Sequence, residues 1–523
     1  MRLARECAFD FAPQDDAWLR GRLDHFGAVN RGSAQAKAFV LDTADGLIAK
    51  LGFAIGTRQR GSLLPSGSRR TRPSSQSRWT RFIEELSPAP HQRDRLDEAL
   101  QSLEVREALV VAAAIDTDEV FFAGQRGEAI FEIRVAKSKI AAAGKQLVVA
   151  TAMFRHVSGS VSDFLRAVGE ITEPAKMRLT AEAPMIRARR HLHPGWRNHV
   201  GAFTPRLGRA MDMRAAFRAI AEACFDQFLL NEAFVRELRD PEAVHQSRVA
   251  LRRLRTALWL FRMRGRDLET APWRREFKEI SALLRDARDL DVFVAEQIEP
   301  RLAGLPTEEA QALLAEFKLR RIAAYDKLVA ELESERAKRF YFDLACWIEA
   351  DEFGAAEISH PETWNQSFLD FVDKRLTKAA EALLTRGDRI DKDDDAQRHE
   401  TRIAAKNLRY AAEFLESLLS RKAARKRFKA LIGALKHIQE VLGQHNDEIV
   451  TRAYLAKLAQ EPMAFARERG DAIAAAAASL AASAPAMPEA EFLQKARDAF
   501  RQLAKAKRFW TRIPGRTAHR GKA

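Results

Sequence analysis

Val244–Phe261, VHQSRVALRRLRTALWLF, recurs further along the chain as Arg398–Leu415, RHETRIAAKNLRYAAEFL. The matched pairs are His245/His399, Arg248/Arg402, Ala250/Ala404, Arg252/Lys406, Leu254/Leu408 and Arg255/Arg409, each 154 residues apart. Downstream, LLRDARDLDVFV (Leu283–Val294) matches VLGQHNDEIV (Val441–Val450). This sets Arg288-Asp289 against Asn446-Asp447 at an offset of 158. Two ordered matches at nearly one spacing mark an internal duplication. Both copies lie in long Ala-, Leu-, Arg- and Glu-rich stretches with helical periodicity, so an all-α unit of two related halves is expected.

The repeated segment has two faces. With His245 at zero and about 100° per residue, Arg248, Arg252 and Arg255 fall at ~300°, ~340° and ~280°. Leu251, Leu254 and Leu258 fall at ~240°, ~180° and ~220°, an adjacent apolar face suited to burial in a bundle. The second copy repeats this with His399, Arg402, Lys406 and Arg409. Like charges three and four residues apart repel by a few tenths of a kcal/mol per pair. No carboxylate occupies the stripe between His245 and Arg255 to offset that repulsion. A bound phosphate would offset it, each charge-assisted hydrogen bond contributing roughly 1.5–3 kcal/mol before ordering costs. Two such stripes make an extended track, which suits a polymeric anion. The bland alternative is a pair of solvated helix faces.

Composition sets the bounds. A chain of 523 residues has room for two or three domains. Its formal charge of +15 points to an acidic partner. That charge is spread: residues 1–200 carry 30 Lys+Arg against 23 Asp+Glu, and the remainder 57 against 49. Net charge therefore does not locate a ligand; the arrangement of charges must. Cys7, Cys224 and Cys346 are far apart with no CxxC pair, which argues against a disulfide framework or zinc site and fits a reducing compartment. The opening MRLARECAFDF is interrupted by charges and is not read as a signal peptide. AIAAAAASLAASA (Ala472–Ala484) is too short to span a bilayer. The expectation is a cytoplasmic protein without a membrane partner.

The two HxxRxxx(R/K)xxR helices, each followed by an (R/N)D motif, resemble the CHAD domain, the conserved histidine alpha-helical domain. The resemblance covers about residues 206–510. It implies two pseudo-symmetric four-helix bundles around a basic pore or groove that binds inorganic polyphosphate, in proteins associated with polyphosphate granules. The implied binding set is His245, Arg248, Arg252, Arg253, Arg255 and Arg288 in the first copy. In the second it is His399, Arg402, Lys406 and Arg409, with Lys436 added. Arg253 lies off the stripe, at about 80° on the same wheel. Asn407 stands at its equivalent place, from which weaker phosphate binding by the second copy is expected. Asp289 and Asp447 are read as structural, pairing with neighbouring Arg or capping a helix.

Before residue 200 the chain changes character. Short β-rich runs, Ala38–Leu41, Leu109–Ile115 and Val120–Phe122, are separated by turn signals, with Gly124–Gly127 expected as a hairpin loop before Ala129–Val135. This part resembles a CYTH domain, the triphosphate-tunnel fold, in two stretches: VLDTADGLIAKLGFAIGTRQRG (Val40–Gly61) and GEAIFEIRVAKSK (Gly127–Lys139). The resemblance implies an eight-stranded antiparallel tunnel whose inward side chains hold a triphosphate and a divalent metal. The whole chain is then α+β and multidomain: a tunnel- or barrel-like β domain over residues 1–200, the helical domain over 206–510, and a basic tail over 511–523.

Phosphoanhydride hydrolysis in such a tunnel needs inward carboxylates for the metal. Here the opening ExExK pattern reads Glu6-Cys7-Ala8-Phe9-Asp10, and the later ExExE reads Glu132-Ile133-Arg134-Val135-Ala136. Carboxylates are missing at positions 8, 134 and 136, so no cofactor is expected. A scaffold is expected instead, or a metal-free anion site using Arg58, Arg60, Arg81 and Arg134. The enzyme alternative is a Mg²⁺- or Mn²⁺-dependent inorganic triphosphatase tethered to polyphosphate by the helical domain. It predicts phosphate release from tripolyphosphate with either metal. Nucleic-acid binding is the third reading and is favoured least, because no recognition motif or aromatic platform accompanies the charge.

Other constellations have plainer readings. His191, His193 and His199 lie on the Pro/Gly-containing segment His191–Thr204, read as a linker rather than a metal site. DKDDD (Asp391–Asp395) lacks the loop glycine and terminal Glu of an EF-hand and is read as a linker helping to cap the next helix. Trp259, Tyr410 and Phe414 are read as core packing. No P-loop, Rossmann fingerprint or nucleophile elbow is present.

Overall fold

The computed structural model describes residues 6–50, 53–61, 80–85, 92–173, 176–181, 199–261, 273–349, 364, 366–460, 470–483 and 487–513. The first part is an antiparallel sheet of eight strands: β1 (Glu6–Phe11), β2 (Val29–Thr43), β3 (Phe53–Arg60), β4 (Thr80–Glu85), β5 (Leu109–Arg126), β6 (Ala129–Ala142), β7 (Lys145–Ser158) and β8 (Arg178–Leu179). Their spatial order is β4-β3-β2-β5-β6-β7-β1-β8. Helices α1 (Asp16–Phe26), α2 (Leu47–Lys50), α3 (Gln92–Gln101), α4 (Leu103–Glu107) and α5 (Val161–Thr172) connect the strands.

Period-two alternation gives each strand two faces. On one, Phe9, Phe131, Ile133 and Phe154 pack against α1 and α5. The other carries Glu6, Ala8 and Asp10 of β1 together with Glu132, Arg134 and Ala136 of β6, through the register of both strands with β7. Positions 6, 8, 10, 132, 134 and 136 therefore share one face of the sheet.

The β5–β6 hairpin differs from the sequence reading. Leu109–Ile115 and Val120–Phe122 belong to one continuous strand, and Gly124 lies within it, paired with Phe131. A Cβ on Gly124 would lie 2.5 Å from the Phe131 ring, so the glycine admits the ring rather than a turn. The reversal falls at Gly127, whose φ of 52° is left-handed.

The second part is helical: α6 (Met213–Leu238), α7 (Pro241–Leu260), α8 (Arg274–Val292), α9 (Thr307–Glu333) and α10 (Glu335–Glu349), then α11 (Phe368–Gly387), α12 (Asp395–Glu413), α13 (Lys422–Gln460), α14 (Gly470–Ser483) and α15 (Glu489–Lys505). The duplicated stripes occupy α7 and α12, with α8 and α13 as the following pair. Four helices of each half, α6, α7, α8 and α10, and α11, α12, α13 and α15, build the main core. The N-terminal part of α9, α14 and the end of α13 form a smaller second core around Phe317, Leu455 and Ala476.

Both stripe helices begin on side-chain caps. Asp240 accepts from the Ala243 amide ahead of Pro241 at the first helical position. Asp394 accepts from Gln397 N while the Gln397 side chain accepts from Asp394 N, a reciprocal capping box. The aspartate-rich run before His399 thus caps α12, as expected.

The apolar core continues from the sheet into the helices. Phe9 of β1 packs on Phe342 of α10 with ring centroids 5.9 Å apart. Arg178 of β8 donates from Nη1 to Glu232 Oε1 of α6 at 2.7 Å and to the Leu332 carbonyl at 2.8 Å. Part of the expected linker is also anchored: Val200 exchanges two 2.8 Å hydrogen bonds with the buried side chain of Asn231. His191 and His193 lie outside the described residues, as does the basic tail beyond residue 513. Among the described residues no helix is long and apolar enough to cross a membrane.

Candidate anion-binding site

α7 and α12 pack against each other, so the two duplicated stripes meet. At the crossing, buried Thr256 of α7 places its hydroxyl 3.2 Å from Asn407 Oδ1 of α12. Lys406 sits half-buried beside this contact. Its pKa is pushed down to about 7, first by burial, then by the charges of Arg252, Arg402 and Arg248, with Asp447 opposing. Cations from both copies thus crowd a single ammonium. The stripes form one cluster rather than two separate faces.

Around that centre the first copy supplies most of the charge. Arg248 Nη1 donates to Asp289 Oδ1 of α8 at 2.7 Å, so Asp289 pairs with a neighbouring arginine as read from the motif. Burial and the neighbouring Arg252 nevertheless hold the Arg248 pKa below its ordinary value. Arg255 is lowered in the same way, by burial and then by Arg252 and Arg285, and its guanidinium lies 5.7 Å from the Phe277 ring. His245 is half-buried and its pKa is lowered, chiefly by burial. Glu242 acts against that shift, whereas Arg288, Arg248 and Arg252 add to it. Burial and the surrounding arginines thus favour the neutral imidazole.

In the second copy, Arg402 lies against buried Gly443 of α13. A Cβ at that position would come within 3.1 Å of Arg402 Nη2, so glycine makes room for the guanidinium. Arg409 is held differently, with Nη1 on Glu413 at 2.8 Å, Nε on Gln439 Oε1 at 3.1 Å and the guanidinium over Tyr410. Its charge is largely met within its own helix. Lys436 is exposed on α13.

Three residues depart from the sequence reading. Arg253 does not join the cluster: it is 2% exposed and donates to Gln227 Oε1 at 3.2 Å and to the Phe203 carbonyl at 2.8 Å. Its guanidinium also lies over the Phe414 ring, so it cements the core. Asn407, read as a loss of binding power in the second copy, instead joins the two copies through Thr256; the inequality drawn from it loses its basis. His399 is exposed, unlike half-buried His245, so the matched histidines stand in different surroundings. One cation was missed. Arg285 of α8 contributes to the fields at both Arg248 and Arg255. Its signal was position, one helical turn before Arg288 on the same face.

On the sheet, Arg60 and Arg134 do not present a vacant anion site. Both reach Glu119 of β5, which is 3% exposed: Arg134 Nη1 to Oε1 at 3.0 Å and Arg60 Nε to Oε2 at 2.9 Å. The arginine that replaces a metal-binding carboxylate is thus answered by an internal carboxylate. Glu132 pairs with Arg155 of β7. Arg58 is exposed on β3 at the register of Thr80, and Arg81 pairs with Thr57 on β4, its side chain outside the described residues. Among the described residues no group of three or more His, Cys, Asp or Glu gathers as a metal would require.

Residues 219–456 match the family model of the CHAD domain. Two uncharacterized proteins of Mycobacterium tuberculosis, from strains CDC 1551 / Oshkosh and H37Rv, are each 28% identical over 253 residues. That alignment covers 46% of this chain and 45% of each relative, so the chain spans less than half their length. The CHAD domain from the plant Ricinus communis is 29% identical, with a TM-score of 0.47 over 58% of this chain and 96% of that one. PptA from Streptomyces chartreusis is 18% identical, with a TM-score of 0.39 over 56% of this chain and 99% of that one. The matched span holds α7, α8 and α12 with the cationic cluster between them, and residues 219–456 are a CHAD domain.

Proposed function

We propose that this chain binds inorganic polyphosphate at the cationic cluster where α7 and α12 cross. The observation that carries the reading is the crossing itself, where Thr256 meets Asn407 at 3.2 Å and half-buried Lys406 lies among Arg252, Arg402 and Arg248, whose charges add to the burial that lowers its pKa to about 7. Such crowding is unfavourable in the free protein and is relieved when an anion sits among the charges. A chain of phosphates matches a site whose cations come from two copies of one helix. The polymer-binding unit extends over residues 206–510, and residues 1–200 serve as a CYTH-like scaffold in which Arg60, Glu119 and Arg134 are already paired. On this reading the protein works at cytoplasmic polyphosphate granules.

The test is a titration with long-chain polyphosphate at rising NaCl, with duplex DNA as competitor. By analogy with nucleic-acid polyanions, about 0.7–0.9 per phosphate contact gives a log–log slope of roughly −3 to −5 for four or five contacts. Tight binding with such a slope, resistant to DNA at equal charge, is expected. Absence of binding, or displacement by DNA at equal charge, would overturn the reading.

Proton linkage gives a second prediction. An anion seated on Lys406 raises its pKa above the free value of about 7, so binding takes up a proton. Affinity is then greatest below pH 7 and falls as pH rises through the bound-state value. About tenfold loss between pH 7 and 8.5 is expected for one proton, and Lys406→Met should flatten that limb. His245, whose free pKa is also lowered, adds a further gain toward pH 6, removed by His245→Gln. Equal affinities at pH 6 and 8 would sink this linkage.

A further inference from the structure

α13 begins in an unfavourable way. Lys422, Arg425, Lys426 and Arg427 fall within its first two turns, and its first turn holds no acid. The N-terminus of a helix is the positive end of its dipole, with unpaired amide donors, and favours anions over cations. Lys422, Lys426 and Lys429 are exposed and spaced four and three residues apart, so they also repel one another.

These lysines lie on one line. With Lys422 at zero, Lys426, Lys429 and Lys436 fall at ~40°, ~340° and ~320°, and Gly443 at ~300°. The opposite side of the helix carries buried Leu431, Leu435, Ile438 and Leu442. Gly443 is where the Arg402 guanidinium rests, so the line leads to the cationic cluster, with one exposed acid, Glu440 at ~0°, between Lys436 and that end. Among the described residues none of these four lysines forms an ion pair; Glu416 acts on Lys429 electrostatically without pairing with it.

Resting on the proposed function, we infer that Lys422, Lys426 and Lys429 form an outer track that carries the polymer away from the cluster along α13. From Lys436 to Lys422 the helix rises about 21 Å at 1.5 Å per residue. Only a long anion reaches from one end to the other. The occupant is the same polyphosphate chain, because its charge complements the track and the track leads to the cluster. The device would make affinity depend on chain length, since short anions fill the cluster alone.

The experiment compares tripolyphosphate with long-chain polyphosphate on the full chain and on Lys422→Glu/Lys426→Glu/Lys429→Glu. The neutral triple Lys→Gln protein serves as a second variant, free of introduced acids. Long-chain affinity should fall at least tenfold in the Glu variant and less in the Gln variant, with a shallower salt slope in both. Tripolyphosphate affinity should stay within about twofold. Unchanged long-chain affinity in the triple variants, with the wild type binding normally, would overturn the track and leave the cluster reading intact. An equal loss for both ligands would also overturn it. A wild type that binds neither ligand would instead refute the cluster, and the track with it.

Discussion

Replacing Arg252 and Lys406 together by glutamate is expected to weaken long-chain polyphosphate binding by roughly a thousandfold while the protein stays folded. Each side chain belongs to a different copy of the repeat, and both act at the same point of the α7–α12 crossing. A charge-assisted hydrogen bond contributes roughly 1.5–3 kcal/mol, so losing two costs about 3–6 kcal/mol, or 10²–10⁴ in affinity at 1.4 kcal/mol per tenfold. The introduced carboxylates also repel the ligand. Stability should not fall in parallel, because the glutamates would face Arg248 and Arg402 and relieve like-charge crowding. Thermal melts of the ligand-free variant at or above the wild-type midpoint would exclude unfolding as the cause. Retained affinity in the folded variant would make the stripes ordinary solvated helix faces.

Arg178→Ala is expected to destabilise the chain by about 3 kcal/mol without touching polyphosphate affinity. Arg178 and Glu232 are almost wholly buried where the sheet meets α6, and Arg178 also satisfies the Leu332 carbonyl. Removing one member of a buried pair strands the other charge, at about 3–5 kcal/mol. Arg236, 3.4 Å from Glu232 Oε1, remains as partial compensation and places the effect at the low end. Urea unfolding of Arg178→Ala, Glu232→Gln and the double variant separates this from simple loss of packing. The double variant should be more stable than the two single losses added together, because no carboxylate is then left unpaired. Strict additivity would show that the ion pair itself contributes little.

Much of the helical domain was legible in the chain. The repeat at His245 and His399, the apolar face beside the cationic one, and the caps at Asp240 and Asp394 are local patterns that a helical wheel and capping chemistry resolve. The sheet was legible in outline, because alternation identifies strands and their faces. Its hairpin was misplaced, since a glycine that admits a ring and a glycine that turns the chain look alike without the partner strand.

Local pattern could not decide which cations share a site. The wheel put Arg253 off the stripe, yet only the packing of α7 on α6 and the Phe203 segment shows its guanidinium in the core. It matched His245 with His399, but their surroundings come from different neighbouring elements, and one is half-buried while the other is exposed. It could not bring Glu119 to Arg60 and Arg134, which lie on three strands joined by long-range register. Sequence periodicity established that the chain carries two cationic helix faces, because a helix places every third and fourth residue together whatever surrounds it. That the two faces make one crowded site, with Lys406 near neutrality, was decided by the crossing of α7 and α12, because electrostatic coupling depends on distance through space and not along the chain.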